Sequence, residues 1–313
     1  MKLINFEDVS NLKIPPEQLY SWVEEMLMQK HSAILPPKIS MTQAENGFCN
    51  VMPCVLPNED VMGVKVVTRY PRRTPALSSQ IILYRQGSGE PLALMDGTYI
   101  TAMRTGAVAA HSIKTFAKSD FSSVGFIGLG NTARATLHVF ASLDKDVEYT
   151  IGLLSYKDHA QSFKDRFKEH KNLVFTVYDN ARALIGDSDV TVSCVTYTDT
   201  LFADDESYRP GCTIIPVHTR GFQNCDLFFD KVFADDRDHV KGFQHFGRFR
   251  NFAETSTVLA GKEPGRNSNG ERILIYNIGL SIHDVYFAHK VYQLLGNLPN
   301  SIKLADPTEK FWV

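Results

Sequence analysis

The fold this sequence predicts is α/β, built on a doubly wound parallel sheet. Three observations lead there. Strand and helix patterns alternate from residue 123 onward; a Gly-x-Gly-x-x-Ala turn joins the first of those strands to a helix; and an earlier region, 36–95, carries short strands of antiparallel texture.

At 313 residues, with 43% apolar and 22% charged, the chain has ordinary globular composition and length enough for one large domain or two. Thirty-three Lys and Arg against 35 Asp and Glu leave a formal charge of −2, which gives no support to a nucleic-acid or anionic-membrane partner. Apolar stretches are broken well before the ~18–20 residues of a membrane helix. The N-terminus, MKLINFEDVS, has neither the apolar region nor the cleavage site of a signal peptide, so a cytoplasmic location is expected. Cys49, Cys54, Cys194, Cys212 and Cys225 are odd in number and lack CxxC spacing, and no histidine pair has metal-ligand spacing; neither a disulfide framework nor a metal site is expected.

In chain order, residues 3–6 read as a short strand. Pro15 and Pro16 open a helix whose apolar positions Leu19, Trp22, Val23, Met26 and Leu27 keep helical spacing. Within 36–95, the runs 63–68 and 80–84 are β-branched or aliphatic and are punctuated by Gly or Pro. An Ala-rich helix is expected over 101–117. Strands then fall at 124–127, 148–154, 174–178, 190–195 and 213–217, with helices at 133–143 and 160–169 between them, and a last helix at 281–295.

The sharpest motif is Val124-Gly125-Phe126-Ile127-Gly128-Leu129-Gly130-Asn131-Thr132-Ala133. Gly128 permits the tight turn, Gly130 lets a pyrophosphate approach the backbone, and Ala133 allows close helix–strand packing. Asn131 and Thr132 open the helix, whose free N–H groups and partial positive charge suit phosphates. The expected ligand is a dinucleotide. An NAD enzyme usually ends its second strand with an acidic residue for the ribose hydroxyl. Here that strand ends Leu154-Ser155-Tyr156-Lys157, and a hydroxyl with a cation suits a 2′-phosphate; Ser155 and Lys157 therefore favour NADP(H), with NAD(H) the alternative.

Further residues carry a family likeness. The run Leu94-Met95-Asp96-Gly97, then Thr101-Ala102-Met103-Arg104-Thr105-Gly106-Ala107, then the glycine turn, resembles the ornithine cyclodeaminase/mu-crystallin family. So does Asn277-Ile278-Gly279-Leu280-Ser281-Ile282-His283-Asp284, against the family's S-x-G-x-A-x-x-D segment; the resemblance covers nearly the whole chain. It implies a Rossmann dinucleotide-binding domain, 118–280, inserted into a second α+β domain, 1–117 plus 281–313, for substrate binding and dimerisation. Members are homodimers acting on α-amino or α-imino acids with a nicotinamide cofactor.

Carried over singly, Lys65 matches the family's substrate-binding lysine. A lysine inside an apolar strand demands an anion, so a buried carboxylate partner is expected. Arg104 matches an arginine suited to a carboxylate or phosphate, and is assigned to substrate and cofactor alike. Thr105, Val195, Thr196 and Gly279 are expected beside the cofactor. Lys38 stands where many relatives have Arg, which keeps the charge but loses the fork.

The segment Val217-His218-Thr219-Arg220-Gly221-Phe222-Gln223-Asn224-Cys225-Asp226-Leu227 departs further. Cyclodeaminases place a proton-handling Asp about six residues before the acidic-Leu pair; here Arg220 or a neighbour falls there, and a cation cannot be that base. His218 and Arg220 follow a strand end, where open α/β sheets bind ligands; with Lys65 they are the candidate catalytic residues. His218 suits acid–base work, and Arg220 suits a second substrate carboxylate.

The function expected is an NAD(P)-dependent oxidoreductase acting at the C–N bond of an α-amino or α-imino acid. Its rivals are a cyclodeaminase with a relocated acid and a non-catalytic binder of the crystallin type.

Overall fold

The structure, a computed structural model, describes residues 1–218, 220–296, 300–303 and 309–310. The chain divides into two compact units, the first of Met1–Lys13, Ser32–Ile100 and Asp284–Val313, the second of Ile14–His31 and Thr101–His283.

The first unit holds one six-stranded sheet. Strand β1 (Lys2–Ile4) stops short of the expected 3–6 and gives way to helix α1 (Phe6–Ser10). The cause is Asn5. Its side chain accepts from the Asp8 amide while the Asp8 carboxylate accepts from the Asn5 amide, each at 2.9 Å, a reciprocal cap that starts a helix there. Strands β2 (Ile39–Thr42), β3 (Phe48–Leu56), β4 (Val61–Arg69), β5 (Leu77–Arg85) and β6 (Pro91–Asp96) follow. The sheet order is β1-β6-β5-β4-β3-β2; only β1–β6 is parallel, so the antiparallel expectation for 36–95 holds. All four residues of edge strand β2 are exposed.

In chain order the remaining elements are α2 (Pro16–Gln29), α3 (Thr98–Phe116), β7 (Ser123–Ile127), α4 (Asn131–Leu143), β8 (Tyr149–Leu154), α5 (His159–Arg166), β9 (Leu173–Tyr178), α6 (Ala181–Asp187), β10 (Val190–Ser193), β11 (Thr213–Pro216), α7 (Cys225–Phe228), β12 (Lys231–Ala234), α8 (Arg237–Val240), β13 (Ala253–Glu254), α9 (Thr255–Leu259), β14 (Ile273–Tyr276) and α10 (Ser281–Leu295). Eight strands form a second sheet in the order β13-β12-β14-β11-β10-β7-β8-β9, every pair parallel. From β7 the chain first builds outward through β8 and β9, then returns to lay β10 on the opposite side of β7. That reversal is the switch point at which such sheets bind ligands.

Strand β10 ends at Ser193 rather than 195; the Cys194 amide makes a last bond to Ile127 O (2.7 Å), at the end of β7. The four-residue strands β12 and β14, KVFA and ILIY, were not anticipated; buried on both faces, they show no alternation from which periodicity could identify them.

The compact units are bounded differently from the 1–117 and 118–280 division expected. Helix α2 groups with the parallel sheet: its stripe Leu19, Trp22, Val23, Met26 and Leu27 is buried, and the helix packs on α4 and α9. Just beyond it, buried Lys30 pairs with Asp236 (2.8 Å) and Glu254 (2.6 Å). From Thr101, α3 also belongs here. At Gly106 a Cβ would lie 2.5 Å from Ala135, so the absent side chain lets α3 and α4 meet backbone to backbone. The C-terminal piece of the expected 281–313 lies partly outside the described residues. Among the described residues no helix is long and apolar enough to cross a membrane.

Candidate active site

The glycine turn sits at the carboxyl end of β7. Gly128 has φ +84°, a left-handed conformation, and a Cβ there would lie 2.9 Å from the Val195 nitrogen. Only glycine meets both demands. Gly130 differs: it caps α4 with no side-chain hydrogen bond, and a Cβ on it would meet nothing within 4 Å. The first amides of α4, from Asn131, Thr132 and buried Ala133, therefore face an open space beside an uncapped helix end. That is a cradle with the positive pole and donors a pyrophosphate requires. The residues present fit a dinucleotide.

On the β8 side of the switch point, Ser155 extends the strand by donating its amide to Tyr178 O (2.7 Å). Tyr156 and Lys157 are exposed beyond it; Lys157 takes φ +53° and sets its ammonium 5.3 Å from the Tyr156 ring centre. No carboxylate lies between Leu154 and Lys157, though Asp158 follows at once.

On the β10 and β11 side, half-buried Val195 packs on Gly128 while Thr196 is exposed. His218, after β11, accepts the Arg220 amide at Nδ1 (3.3 Å), so in the neutral ring Nε2–H donates to Ser193 Oγ (2.7 Å). Burial drops its pKa to about 4. It is a neutral imidazole with both nitrogens engaged, not an acid held near pH 7. Asp226 is the sole carboxylate in 217–227, and it points into the core: Oδ1 accepts the Tyr276 hydroxyl at 2.7 Å, and burial raises its pKa to about 7.

Arg104, on α3, is buried. It donates to His283 Nδ1 at 3.5 Å and lies flat against Gly279, whose φ is +76° and where a Cβ would stand 2.9 Å from Nη1. A buried network supports this corner. Asp235 accepts from Asn277 Nδ2 and from the Gly279 amide, both at 3.0 Å, and Asn277 Oδ1 accepts Ser112 Oγ at 3.1 Å. Burial raises the Asp235 pKa, and those bonds with the Arg104 and Lys30 charges restrain the rise. Thr105 spends its hydroxyl within α3, on Thr101 O (2.6 Å).

In the first unit, Lys65 lies on the buried face of β4, flanked in register by Met52 and Ile81. Its ammonium stands 2.6 Å from Asp284 Oδ2, the two side chains 1% and 0% exposed. Gly63, two residues earlier on the same face, explains the approach: a Cβ there would lie 3.2 Å from Val285, so the bare glycine admits α10 close to the sheet. The expected carboxylate partner is thus an internal one. Lys38 is half-buried just before β2.

Sequence reasoning placed Asn277 and Asp284 in a motif but gave them no role, and missed Asp235. A carboxylate immediately after the apolar strand KVFA was the available signal for Asp235. None of the five cysteines is disulfide-bonded, and burial pushes the Cys194 and Cys212 thiols up to about 12. Among the described residues no group of three His, Cys, Asp or Glu is placed to hold a metal.

Comparison with known proteins matches residues 3–297 to the ornithine cyclodeaminase/mu-crystallin family. A Bacillus cereus Delta(1)-pyrroline-2-carboxylate reductase is 25% identical over 290 residues, 86% of this chain and 89% of that protein. The structure of Thermococcus litoralis Delta(1)-pyrroline-2-carboxylate reductase in complex with NADH and L-proline superposes with a TM-score of 0.83 at 25% identity, covering 94% of this chain and 97% of the other. An archaeal alanine dehydrogenase dimer with bound NAD gives 0.80 at 25% identity, covering 94% and 95%.

Proposed function

The chain belongs to the ornithine cyclodeaminase/mu-crystallin family, and we propose that within it this protein is a nicotinamide-dependent oxidoreductase that reduces the C=N bond of an α-imino acid. The balanced reaction takes an imino acid, a reduced cofactor and a proton to an amino acid and the oxidised cofactor. The nicotinamide, when bound, supplies the hydride to the imine carbon. The relatives named above, two of which hold NADH or NAD, support this reading.

One observation separates it from ring-closing deamination. Asp226, the sole carboxylate of segment 217–227, is committed to Tyr276 inside the core, which leaves that segment no free carboxylate for the proton handling of ammonia elimination. Reduction of an iminium needs no such group, because the nitrogen already carries the positive charge that draws the hydride.

We assign Lys65, with Lys38, to the substrate's α-carboxylate, and Arg104 to an anionic group of substrate or cofactor. Asp284 holds the Lys65 ammonium in place. Gly128, Gly130 and the amides of Asn131, Thr132 and Ala133 hold the pyrophosphate, with Thr105, Val195, Thr196 and Gly279 along the rest of the cofactor. His218, neutral, fixes the loop after β11 through Ser193. Ser155 and Lys157 favour NADP(H) over NAD(H). The first unit is assigned to substrate binding and homodimerisation, for which edge strand β2, with Ile39 and Met41 exposed, offers an apolar border. Five unpaired thiols suit a reducing, cytoplasmic setting.

The test is consumption of NADPH, and in parallel NADH, against cyclic ketimines and mixtures of 2-oxo acids with amines. Substrate-dependent oxidation is expected; ammonia release from ornithine without net cofactor turnover would overturn the reading.

A further inference from the structure

The loops that follow β10 and β11, with Gln244 beyond α8, border an open cleft of about 240 Å³ lined by Thr198, Thr200, Arg220, Gly221, Gln223 and Gln244, with Asp199 and Leu201 completing the wall; Arg220 and Asp199 are both exposed. Its position is set by topology. Both strands lie on the far side of the switch point from β8, and both loops leave the carboxyl edge of the sheet where ligands bind. Their union is structural: the Phe202 amide bonds Gly221 O at 3.0 Å, and Gly221, at φ +96°, has no room for a Cβ, which would lie 2.4 Å from the Phe202 ring. The volume falls below the ~300–1,000 Å³ of pockets for drug-sized ligands and suits a single small polar group.

The wall carries one cation, Arg220, and one carboxylate, Asp199, and the two do not pair. Arg220 makes no salt bridge among the described residues; its guanidinium is held over the Tyr197 ring, 5.2 Å from the centre, which orients the fork without neutralising it. The neighbouring carboxylate, Asp199, accepts the Tyr197 hydroxyl instead. Gln223 turns its Oε1 to the Gly221 amide (2.8 Å), so its NH₂ is the end left to donate. A planar cation with a donor amide beside it, in a cleft of this size, matches a carboxylate.

We propose that this cavity is a subsite for a second carboxylate, so that the preferred substrates are α-imino acids with an acidic side chain; the inference rests on the reductase reading above. Arg220 clamps the distal carboxylate, and Gln223 and Gln244 hold its remaining lone pairs.

The experiment is calorimetric titration of the protein, saturated with oxidised cofactor, with succinate and with butyrate, which share a carbon count but differ by one carboxylate. Succinate is expected to bind about tenfold tighter or more. The preference should vanish in Arg220→Gln while cofactor affinity holds. Equal binding of the two acids, or a preference that survives Arg220→Gln, overturns the subsite. Rates with ammonia plus 2-oxoglutarate against ammonia plus 2-oxobutyrate keep the two readings apart. Turnover without discrimination removes the subsite and leaves the reductase. Arg220-dependent succinate binding with no turnover of any imine removes the reductase and leaves the subsite.

Discussion

Lys65 and Asp284 form an ion pair at 2.6 Å in which neither side chain reaches solvent. Each charge offsets the burial of the other. Asp284→Ala is expected to destabilise the protein by ~3–5 kcal/mol, since it removes the carboxylate facing a buried ammonium, whereas Lys65→Met with Asp284→Leu should recover most of that loss. Urea denaturation decides it; a double variant as unstable as the single one would refute the account. The folded double variant should still bind cofactor and show no turnover. Full activity would remove Lys65 from the substrate site.

The two glycines of the turn should fail in different ways. Gly130→Val adds a side chain where nothing stands within 4 Å, so stability should stay within ~0.5 kcal/mol while cofactor binding is lost. Gly128→Ala, at φ +84° and against Val195, should instead lower stability by ~1–3 kcal/mol. Fluorescence titration with NADPH beside thermal melting separates them; undiminished affinity in Gly130→Val would sink the phosphate cradle.

The proposed preference for NADP(H) rests on Lys157, exposed just beyond β8. Lys157→Glu should raise the ratio of NADH to NADPH efficiency by about tenfold or more, because a carboxylate repels the 2′-phosphate and accepts from the ribose hydroxyl. An unchanged ratio would remove the case for NADP(H).

Acid should weaken the fold through two histidines. Burial holds His111 and His218 at pKa values of about 4, below the ordinary 6.5. Between pH 6.5 and 4 the unfolded chain binds a proton at each ring that the folded chain refuses, so stability falls as pH drops through that window. The loss approaches ~3 kcal/mol for fully buried His111 and is smaller for half-buried His218. Denaturation at pH 7 and 4.5 should show a narrower gap in His111→Phe. A gap of equal width would mean that other groups set the acid limit.

What the chain reveals unaided follows from local rules. The glycine turn, the helical stripe of α2 and the span of α10 each depend on residues within a few positions of one another, so spacing alone makes them legible. Strand β1 ends sooner than its pattern predicts because the side-chain cap between Asn5 and Asp8 competes with extension. Other features depend on distant residues. The grouping of α2 with the parallel sheet follows from which apolar faces find one another. The carboxylate facing Lys65 lies 219 positions along the chain (284 minus 65) and reaches it only because Gly63 lets α10 approach. Arg220 and Asp199 stay unpaired because Tyr197 engages both, the guanidinium over its ring and the carboxylate at its hydroxyl, and Asp226 is engaged by a tyrosine 50 positions away. A charged side chain's identity is written in the sequence, but its partner is decided by packing, since burial leaves each charge only the neighbours the fold brings within hydrogen-bond reach.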